Sequence, residues 1–485
     1  MEIPDIIGRD YFKSLLDSAL AVNKASLVTV YGRRRVGKTY LIKSYLHNQM
    51  SFQYQGIHNV TSEVQLEKFT KALAAQLNGG KPLLVPADWF DAFDLLATLL
   101  KKKRSKRLVI FLDEFPWMHT PKSNFLAAFE NFWNTWATDK PHVTVIICGS
   151  AASWMIQKVV RNKGGLHNRI THKIALQPFN LHETELFLKS RGVYLNHYQV
   201  IQLYMAVGGI PQYLEIAKPG KSAAQIIDEA CFQKNGFLFD EFNELYYSLF
   251  YKADRHIKII RALAAKPTGL TRNEIIQATN LQTGGTASNL LEELSAAGFI
   301  TPYIPFGKKL KDSIFKLTDE FSLFYLKFME PNRVSAKGAW QKLSNTPTYT
   351  SWSGLAFETL CIKHTAAIEK VLGITSIYTE SSSWHSRSGT SGGAQIDLLI
   401  DRRDQCINLC EMKFYNSGFS IDKKYADELR RKENAFREQT KTRKQIFHTL
   451  ITTFELIPNE HSIGLIDSVV TMNDFFVGKE LKYLG

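Results

Sequence analysis

Cysteine is scarce and scattered. Among 485 residues there are five, Cys148, Cys231, Cys361, Cys406 and Cys410, and no C-x-x-C pair, so neither a disulfide framework nor a zinc site organises the fold. Long apolar runs are missing too. The longest, from Val143 to Ile156, is interrupted by Thr144, Gly149, Ser150 and Ser153 and falls short of the ~20 residues a bilayer demands, so no membrane partner is expected. The opening MEIPDIIGRD has no charged segment followed by an apolar stretch, so no secretory leader is expected. These absences together predict a cytoplasmic protein. There is no internal repeat.

What is present is a folding chain. Hydrophobic residues make up 45% and charged residues 22%, near the values of globular proteins and far from those of disordered ones. A single core stops growing near ~250–300 residues, so this length predicts about three or four domains. The formal net charge is +14 and the isoelectric point is near 9.3. Both favour polyanions such as nucleic acid without locating a site.

Up to about residue 178, short β-rich runs (Leu27 to Tyr31, Leu108 to Leu112, Val143 to Cys148 and Lys173 to Leu176) alternate with helical patterns. This predicts a parallel sheet covered by helices. From 179 to 250 the pattern is helical, broken at Gly208-Gly209-Ile210-Pro211 and at Pro219-Gly220, and reads as a small lid. Residues 251–330 follow as three helices (His256 to Ala264, Thr271 to Ala278, Ser288 to Ala297) and two strands (Phe299 to Ile304, Ser313 to Leu317) around the basic turn GKKLKD. Ser288 is suited to an N-cap and Gly298 to the C′ position. This winged-helix pattern serves either as a spacer or clasp, or as a reader of DNA. Polar residues 331–353 read as a linker, and 354–485 as a second α/β unit. The lysine-rich run from Lys101 to Arg107 is a solvated approach to the next strand.

Gly32-Arg33-Arg34-Arg35-Val36-Gly37-Lys38-Thr39 fits G-x-x-x-x-G-K-[ST], after the strand LVTVY and before a helix that opens with Thr39 and Tyr40. Such a loop wraps phosphates with backbone N–H groups at a helix N-terminus. Lys38 would reach the β/γ oxygens of ATP, and Thr39 would ligate Mg²⁺. The string alone arises by chance in roughly one or two chains in a hundred of this length; strand and helix on either side make it specific. The apolar strand Leu108 to Leu112 then ends in Asp113 and Glu114, at the sheet edge where open α/β folds bind ligands. Asp113 is expected in the magnesium shell, and Glu114 is expected to polarise the attacking water. Ser150, ending the next strand, is a candidate γ-phosphate sensor. Arg169 is either a positive charge for the transition state, in cis or from a neighbouring subunit of a homo-oligomer, or a surface arginine before a strand.

These residues resemble the AAA+ ATPases, and more narrowly the archaeal-type, STAND-like family. The matching pieces are IIGRDYFKSL, YGRRRVGKT, FLDEF, ICGSAASWM, RITHKIALQPF and GGIPQYL, spread over most of residues 3 to 330. The resemblance implies a P-loop (AAA+/ASCE) parallel sheet with a helical lid. An added strand would lie between the phosphate-loop strand and FLDEF, with Arg9 near the nucleotide and Pro211 marking the lid side. Ser150 stands where many AAA+ proteins carry Asn, which implies weaker or differently arranged sensing.

In the rear unit, Gln395 to Ile400 and Cys406 to Phe414 read as two strands joined by DRRDQ. A turn centred near 403 or 404 gives paired positions an index sum of about 806 to 808, so Asp397 faces positions 409 to 411. Glu411 and Lys413 lie on one face because strand side chains alternate. Glu358, on a helix starting at Gly354, can join them. Two carboxylates would hold Mg²⁺ or Mn²⁺, the metal would generate a hydroxide, and Lys413 would steady the phosphate. An Asp followed loosely by E-x-K occurs about once by chance in such a chain. The weight therefore rests on charged residues inside apolar strands, which are costly to bury unless paired. An ordinary buried ion-pair network is the other reading.

This region resembles the PD-(D/E)xK nuclease fold appended to the same archaeal ATPase family, which carries over Glu358, Asp397, Glu411 and Lys413, with Gln395 and Tyr415 nearby. The resemblance implies a C-terminal α/β restriction-endonuclease-like domain, action on nucleic acid with DNA first, and defence against foreign nucleic acid. The Lys- and Arg-rich helix from Lys423 to Arg443 would track a phosphate backbone or be a solvated face. The expected whole is an α/β multidomain, ATP-controlled, metal-dependent nuclease. The alternative is a nucleotide-switched protein that binds DNA or a partner with an inactive nuclease fold. A purely mechanical ATPase working along DNA or protein is a third reading.

Overall fold

Runs dominated by Leu, Val, Ile and Phe must be covered on both faces, and three such runs become the middle of one sheet. The structure, a computed structural model, describes residues 6–150, 152–161, 164–166, 168–250, 252–282, 284–332, 337–386 and 393–478. The chain divides into two compact units, one holding the residues through Pro178 with Glu292–Ala297, the other holding Phe179–Leu291 and the residues from Gly298 onward.

In the first unit β1 (Ser26–Tyr31), β2 (Met50–Gln55), β3 (Leu108–Asp113), β4 (Val143–Gly149) and β5 (His172–Ala175) form a sheet in the order β2-β3-β4-β1-β5. All neighbours are parallel. Every residue of β3 and β4 is buried, as expected of strands covered twice. β4 lies between β1 and β3, which is the added strand that the resemblance implies. Strand β2 was not expected. Its MSFQYQ sequence alternates at an edge, with Gln53 and Gln55 exposed, so it lacks the apolar run that marks the others. One face is covered by helices Ser62–Leu77, Trp89–Lys101 and Phe125–Phe132, whose Phe69, Trp89, Phe93 and Phe125 pack edge-on or tilted, with Trp89 and Phe125 ring centroids 4.8 Å apart.

The second unit begins with helices Leu181–Ser190, His197–Val207, Pro211–Leu214, Ala223–Ile227 and Glu241–Leu249. The first is closed by a reciprocal cap between Asn180 and Glu183, a device that satisfies two otherwise unpaired backbone donors. Helices Asp254–Ala264 and Arg272–Thr279 follow, then Gly285–Ala296, of which the part from Glu292 is grouped with the first unit, and an antiparallel sheet of β6 (Leu270–Thr271), β7 (Ile300–Tyr303) and β8 (Ile314–Leu317) in the order β6-β8-β7. The third helix starts at Gly285, so Ser288 lies inside it and does not cap it.

The rear sheet has the order β13-β12-β11-β10-β9, from β9 (Thr379–Ser386), β10 (Ala394–Arg402), β11 (Cys406–Lys413), β12 (Gln445–Thr452) and β13 (Ser468–Thr471). It is mixed: β9, β10 and β11 run antiparallel, and β11, β12 and β13 parallel. Helix Lys423–Thr440 supplies the crossover that a parallel β11–β12 pair requires.

The polar stretch 331–353, expected as a linker, is largely helical from Ala339 to Leu343 and from Pro347 onward in a helix that runs to Lys363. Trp340 is 4% exposed, and its ring meets Phe324 at 4.9 Å and Phe328 at 5.2 Å. Two tryptophans, Trp340 and Trp352, carry enough apolar area to hold a polar segment in place. Among the described residues no helix is long and apolar enough to cross a membrane.

Candidate nucleotide site and rear carboxylate cluster

Where β1 ends, the chain must turn sharply and approach the neighbouring backbone. Gly32 has φ +144°, and a Cβ there would lie 2.3 Å from the Leu176 carbonyl oxygen; only glycine fits. Gly37, also at positive φ, caps helix Lys38–Tyr45. The loop between them includes Val36, 1% exposed, with Arg34 and Arg35 half-buried and Tyr40 exposed just inside the helix. Arg33 is buried as well. The Arg9 guanidinium donates to the carbonyls of Gln177 (2.6 Å) and Val36 (3.0 Å), tying the loop to the exit of β5.

Lys38 is buried, and its ammonium donates to the Gly32 and Arg33 carbonyls at 3.1 and 2.8 Å. Burial lowers its pKa, while nearby Cys148, Glu114 and Asp113 oppose that shift. Thr39 Oγ1 donates to Asp113 Oδ2 at 2.8 Å, so helix and β3 bring two oxygen ligands to one point. Glu114 follows in the left-handed region, φ 44°, uncommon for a residue with a side chain. Its carboxylate accepts from Ser150 Oγ (2.8 Å) and from the Ser150 N–H (3.3 Å). Ser150 therefore reaches the site through Glu114. Arg169 is exposed in the turn ahead of β5. Pro211 opens helix Pro211–Leu214 in the second unit.

A loop with buried lysine at a helix N-terminus, beside a strand ending in two acids, defines a P-loop ATPase fold with a parallel sheet. Residues 14–217 match the family model described as "ATPase domain predominantly from Archaea", so the chain carries an ATPase domain of that type. An uncharacterised protein of Methanocaldococcus jannaschii is 23% identical over 434 residues, 88% of this chain and 91% of the relative. An uncharacterised ATP-binding protein of the same organism is 67% identical over 27 residues, 6% of this chain and 46% of that protein. Among solved structures, a Walker-type ATPase of Pyrococcus abyssi superposes with TM-score 0.47 at 16% identity, covering 66% of this chain and 96% of that one. The ORC2 protein of Aeropyrum pernix, solved with ADPNP and ADP, gives TM-score 0.42 at 15% identity, covering 71% and 96%.

At the rear, β10 and β11 pair Leu398 with Cys410, an index sum of 808 at the top of the range that the turn predicts. The β10–β11 ladder ends there, one residue short of Asp397 and Glu411, beside a bulge between Ile396 and Leu399 in the β9 pairing. Glu411 is held by three donors: Lys432 Nζ at 3.0 Å, Lys413 Nζ at 3.1 Å and the Tyr425 hydroxyl at 2.7 Å. Burial pushes its pKa up, but Lys432 and Lys413 more than offset this and the net shift is downward. Glu358, half-buried in mid-helix, is pushed up to about 8, first by burial and then by the charges of Asp397 and Glu411. Asp397 accepts from the Gln395 amide. Tyr415 is exposed, and its N–H donates to Thr453 Oγ1.

Lys316, from β8, also belongs to this cluster. Burial lowers its pKa against the opposing charges of Asp397 and Glu358. Neither Lys316, Lys432 nor Tyr425 was picked out from the sequence. A signal existed for two of them: Tyr425, Leu429, Lys432 and Phe436 recur at helical spacing, which puts a lysine in an apolar stripe. For Lys316 there was none. Among the described residues, no three His, Cys, Asp or Glu side chains stand as a ready metal cage. Glu411 turns its oxygens to two lysines and a tyrosine.

Proposed function

We propose that this chain hydrolyses ATP in its front unit, and that the nucleotide cycle controls a nuclease built from its C-terminal residues. The observation that supports the reading is the crowding of Glu358, Asp397 and Glu411 beside Lys413, Lys432 and Lys316, where burial first, and then the charges of Asp397 and Glu411, push Glu358 up to about 8. Structural ion pairs do not usually gather three acids; such crowding marks functional sites more often than plain cores.

In the front site, Lys38 would bind the β/γ oxygens from where it now caps its own loop. Glu114, oriented by Ser150, would accept a proton from the attacking water. The Thr39 and Asp113 oxygens, 2.8 Å apart, fit Mg²⁺, which needs few protein ligands beside phosphate and water. Bound there, the ion would neutralise phosphate charge. Arg9 would hold the loop on the nucleotide, and exposed Arg169 would serve a neighbouring copy in a homo-oligomer.

At the rear, Glu411 is turned to Lys413, Lys432 and Tyr425. Lys413 would neutralise the phosphate under attack, and Asp397 and Glu358 would orient the water. The test is a supercoiled DNA plasmid incubated with Mg²⁺ or Mn²⁺, with and without ATP. We expect nicking by the native protein and at least a ~10²-fold loss in Lys413→Ala, the scale of removing one transition-state charge. Equal behaviour of the two proteins refutes the nuclease.

The three-donor clamp on Glu411 favours a second reading, a nucleotide-switched protein that binds nucleic acid without cutting it. On that reading Asp397→Ala and Glu411→Ala change neither ATP turnover nor nucleic-acid binding, and no variant or native protein nicks the plasmid.

A further inference from the structure

Beside the carboxylate cluster lies a second concavity that none of the motifs uses. It is a groove of about 960 Å³ between the three-stranded sheet and the rear sheet, bordered by the loops at Lys266 and Lys308, by His385 and Gln395 of β9 and β10, and by Gln439. Its volume sits at the upper end of the ~300–1,000 Å³ of small-ligand pockets, yet its walls are not those of such a pocket. Lys266, Lys308, His385, Gln395 and Gln439 are all exposed within it. The aromatic rings near it are committed elsewhere: Trp384 is 6% exposed and packs on Phe436, as does Phe306. The acids in the wall are committed too. Glu274 accepts from the Thr271 N–H and hydroxyl, and Asp312 from the Lys309 N–H. Lys266 Nζ also lies 3.4 Å from Glu274 Oε1, a long, exposed pair worth little in water that a phosphate can replace, the Gln439 amide donates to Ser386, and Lys308 and His385 stand exposed on the same wall.

Lys316 borders this groove and also a smaller cavity of about 350 Å³ that Glu358 lines. Gln395 borders the groove and donates to Asp397. Both residues join the groove to the carboxylates, one through its ammonium and one through its amide. A chain of phosphodiesters lying along the groove would meet Lys266 and Lys308 first and end where Lys316 and Gln395 adjoin the acids.

We propose that this groove binds a single strand of nucleic acid by its phosphate backbone and delivers it to the carboxylate cluster. The inference rests on the nuclease reading for what happens at the far end, but binding itself requires no cleavage. Lys266 and Lys308 grip phosphates, Gln439 and His385 donate along the path, and Lys316 is a positioning residue at the junction. Because the grip is on phosphates, which carry no base information, recognition is indifferent to sequence.

The experiment uses the full chain and a fluorescein-labelled single-stranded DNA in EDTA, read by anisotropy from 50 to 300 mM KCl. The native protein is expected to bind with a steep salt dependence. Lys266→Glu/Lys308→Glu is expected to bind at least tenfold more weakly, with the slope of log K against log salt reduced by about 1.4 for two lost contacts to a single strand. His385→Ala/Gln439→Ala, which leaves charge unaltered, should weaken binding by less and keep the slope. Asp397→Ala should bind no more weakly than native. Equal affinity and slope in the charge-reversed double variant overturns the groove, provided its circular dichroism matches native. Binding lost as predicted while no plasmid is ever nicked sinks the nuclease and leaves the groove standing.

Discussion

At the level of single residues, the front site depends on a few side chains held by one another. Lys38→Ala is expected to abolish ATP turnover, because its ammonium, held at the Gly32 and Arg33 carbonyls beside the helix N-terminus, is the cation proposed to meet the β/γ oxygens. Glu114→Gln should keep the backbone turn and the Ser150 bond but cannot take a proton. Turnover should fall about 10²–10⁴-fold, the usual share of a general base, while a fluorescent ATP analogue still binds. If Glu114→Gln turns over like native protein, the base lies elsewhere. Gly32→Ala places a methyl group 2.3 Å from the Leu176 oxygen and is expected to cost about 3 kcal/mol in denaturant unfolding.

Glu358 gives a pH signature. With its pKa pushed up to about 8 from 4.5, the folded protein holds this proton more tightly than the unfolded chain does. The associated stability is complete below about pH 4.5 and is lost as pH rises through about 8. Glu358→Gln keeps the shape and removes the titration. Its melting temperature should therefore equal or trail that of the native protein at pH 5 and exceed it at pH 9, read by thermal melts in matched ionic strength. A constant difference across that range would mean that Glu358 titrates normally.

At the level of elements, the segment around Trp340 is the point where local sequence misleads. Its polar composition predicts a linker, but Trp340 and Trp352 insert among Phe324 and Phe328. Trp340→Ala should cost about 3–5 kcal/mol, as for other large aromatic truncations in cores, whereas a linker residue would cost nearly nothing. Urea unfolding followed by circular dichroism distinguishes the two. Strand β2 makes the opposite point. Its Gln53 and Gln55 hide it from a search for apolar runs, although Phe52 and Tyr54 are buried against Phe69. The apolar strands β1, β3 and β4 were legible because strands covered on both faces admit almost nothing else. The β10–β11 register was legible because a short turn leaves little freedom in pairing.

On the scale of the whole molecule, two compact units make one cooperative transition the wrong expectation. If Mg²⁺-ATP is held by Lys38, Thr39 and Asp113 as proposed, it should raise only the transition that belongs to the first unit. At a hundred times the dissociation constant the gain is about 2.7 kcal/mol. Differential scanning calorimetry with and without Mg²⁺-ATP tests this, and Lys38→Ala should erase the shift. A single transition moving as a whole would show that the units unfold together. The net charge of +14 adds a general attraction to polyanions, which is why the salt slope of the groove variant, and not affinity alone, isolates the local contacts.

The sequence alone determined the phosphate loop, the strand ending in Asp113 and Glu114, and the pairing range of β10 with β11. Each of these follows from neighbours along the chain: glycines at positive φ, apolar runs and a short turn. Tertiary structure alone decided that Ser150 bonds Glu114, that Arg169 faces solvent, that Glu411 is clamped by Lys432 and Tyr425, and that Lys316 of β8 joins acids from elements tens of residues away. Those are encounters between side chains far apart in sequence, fixed by how helices and sheets pack, and no local pattern encodes which charge will meet which.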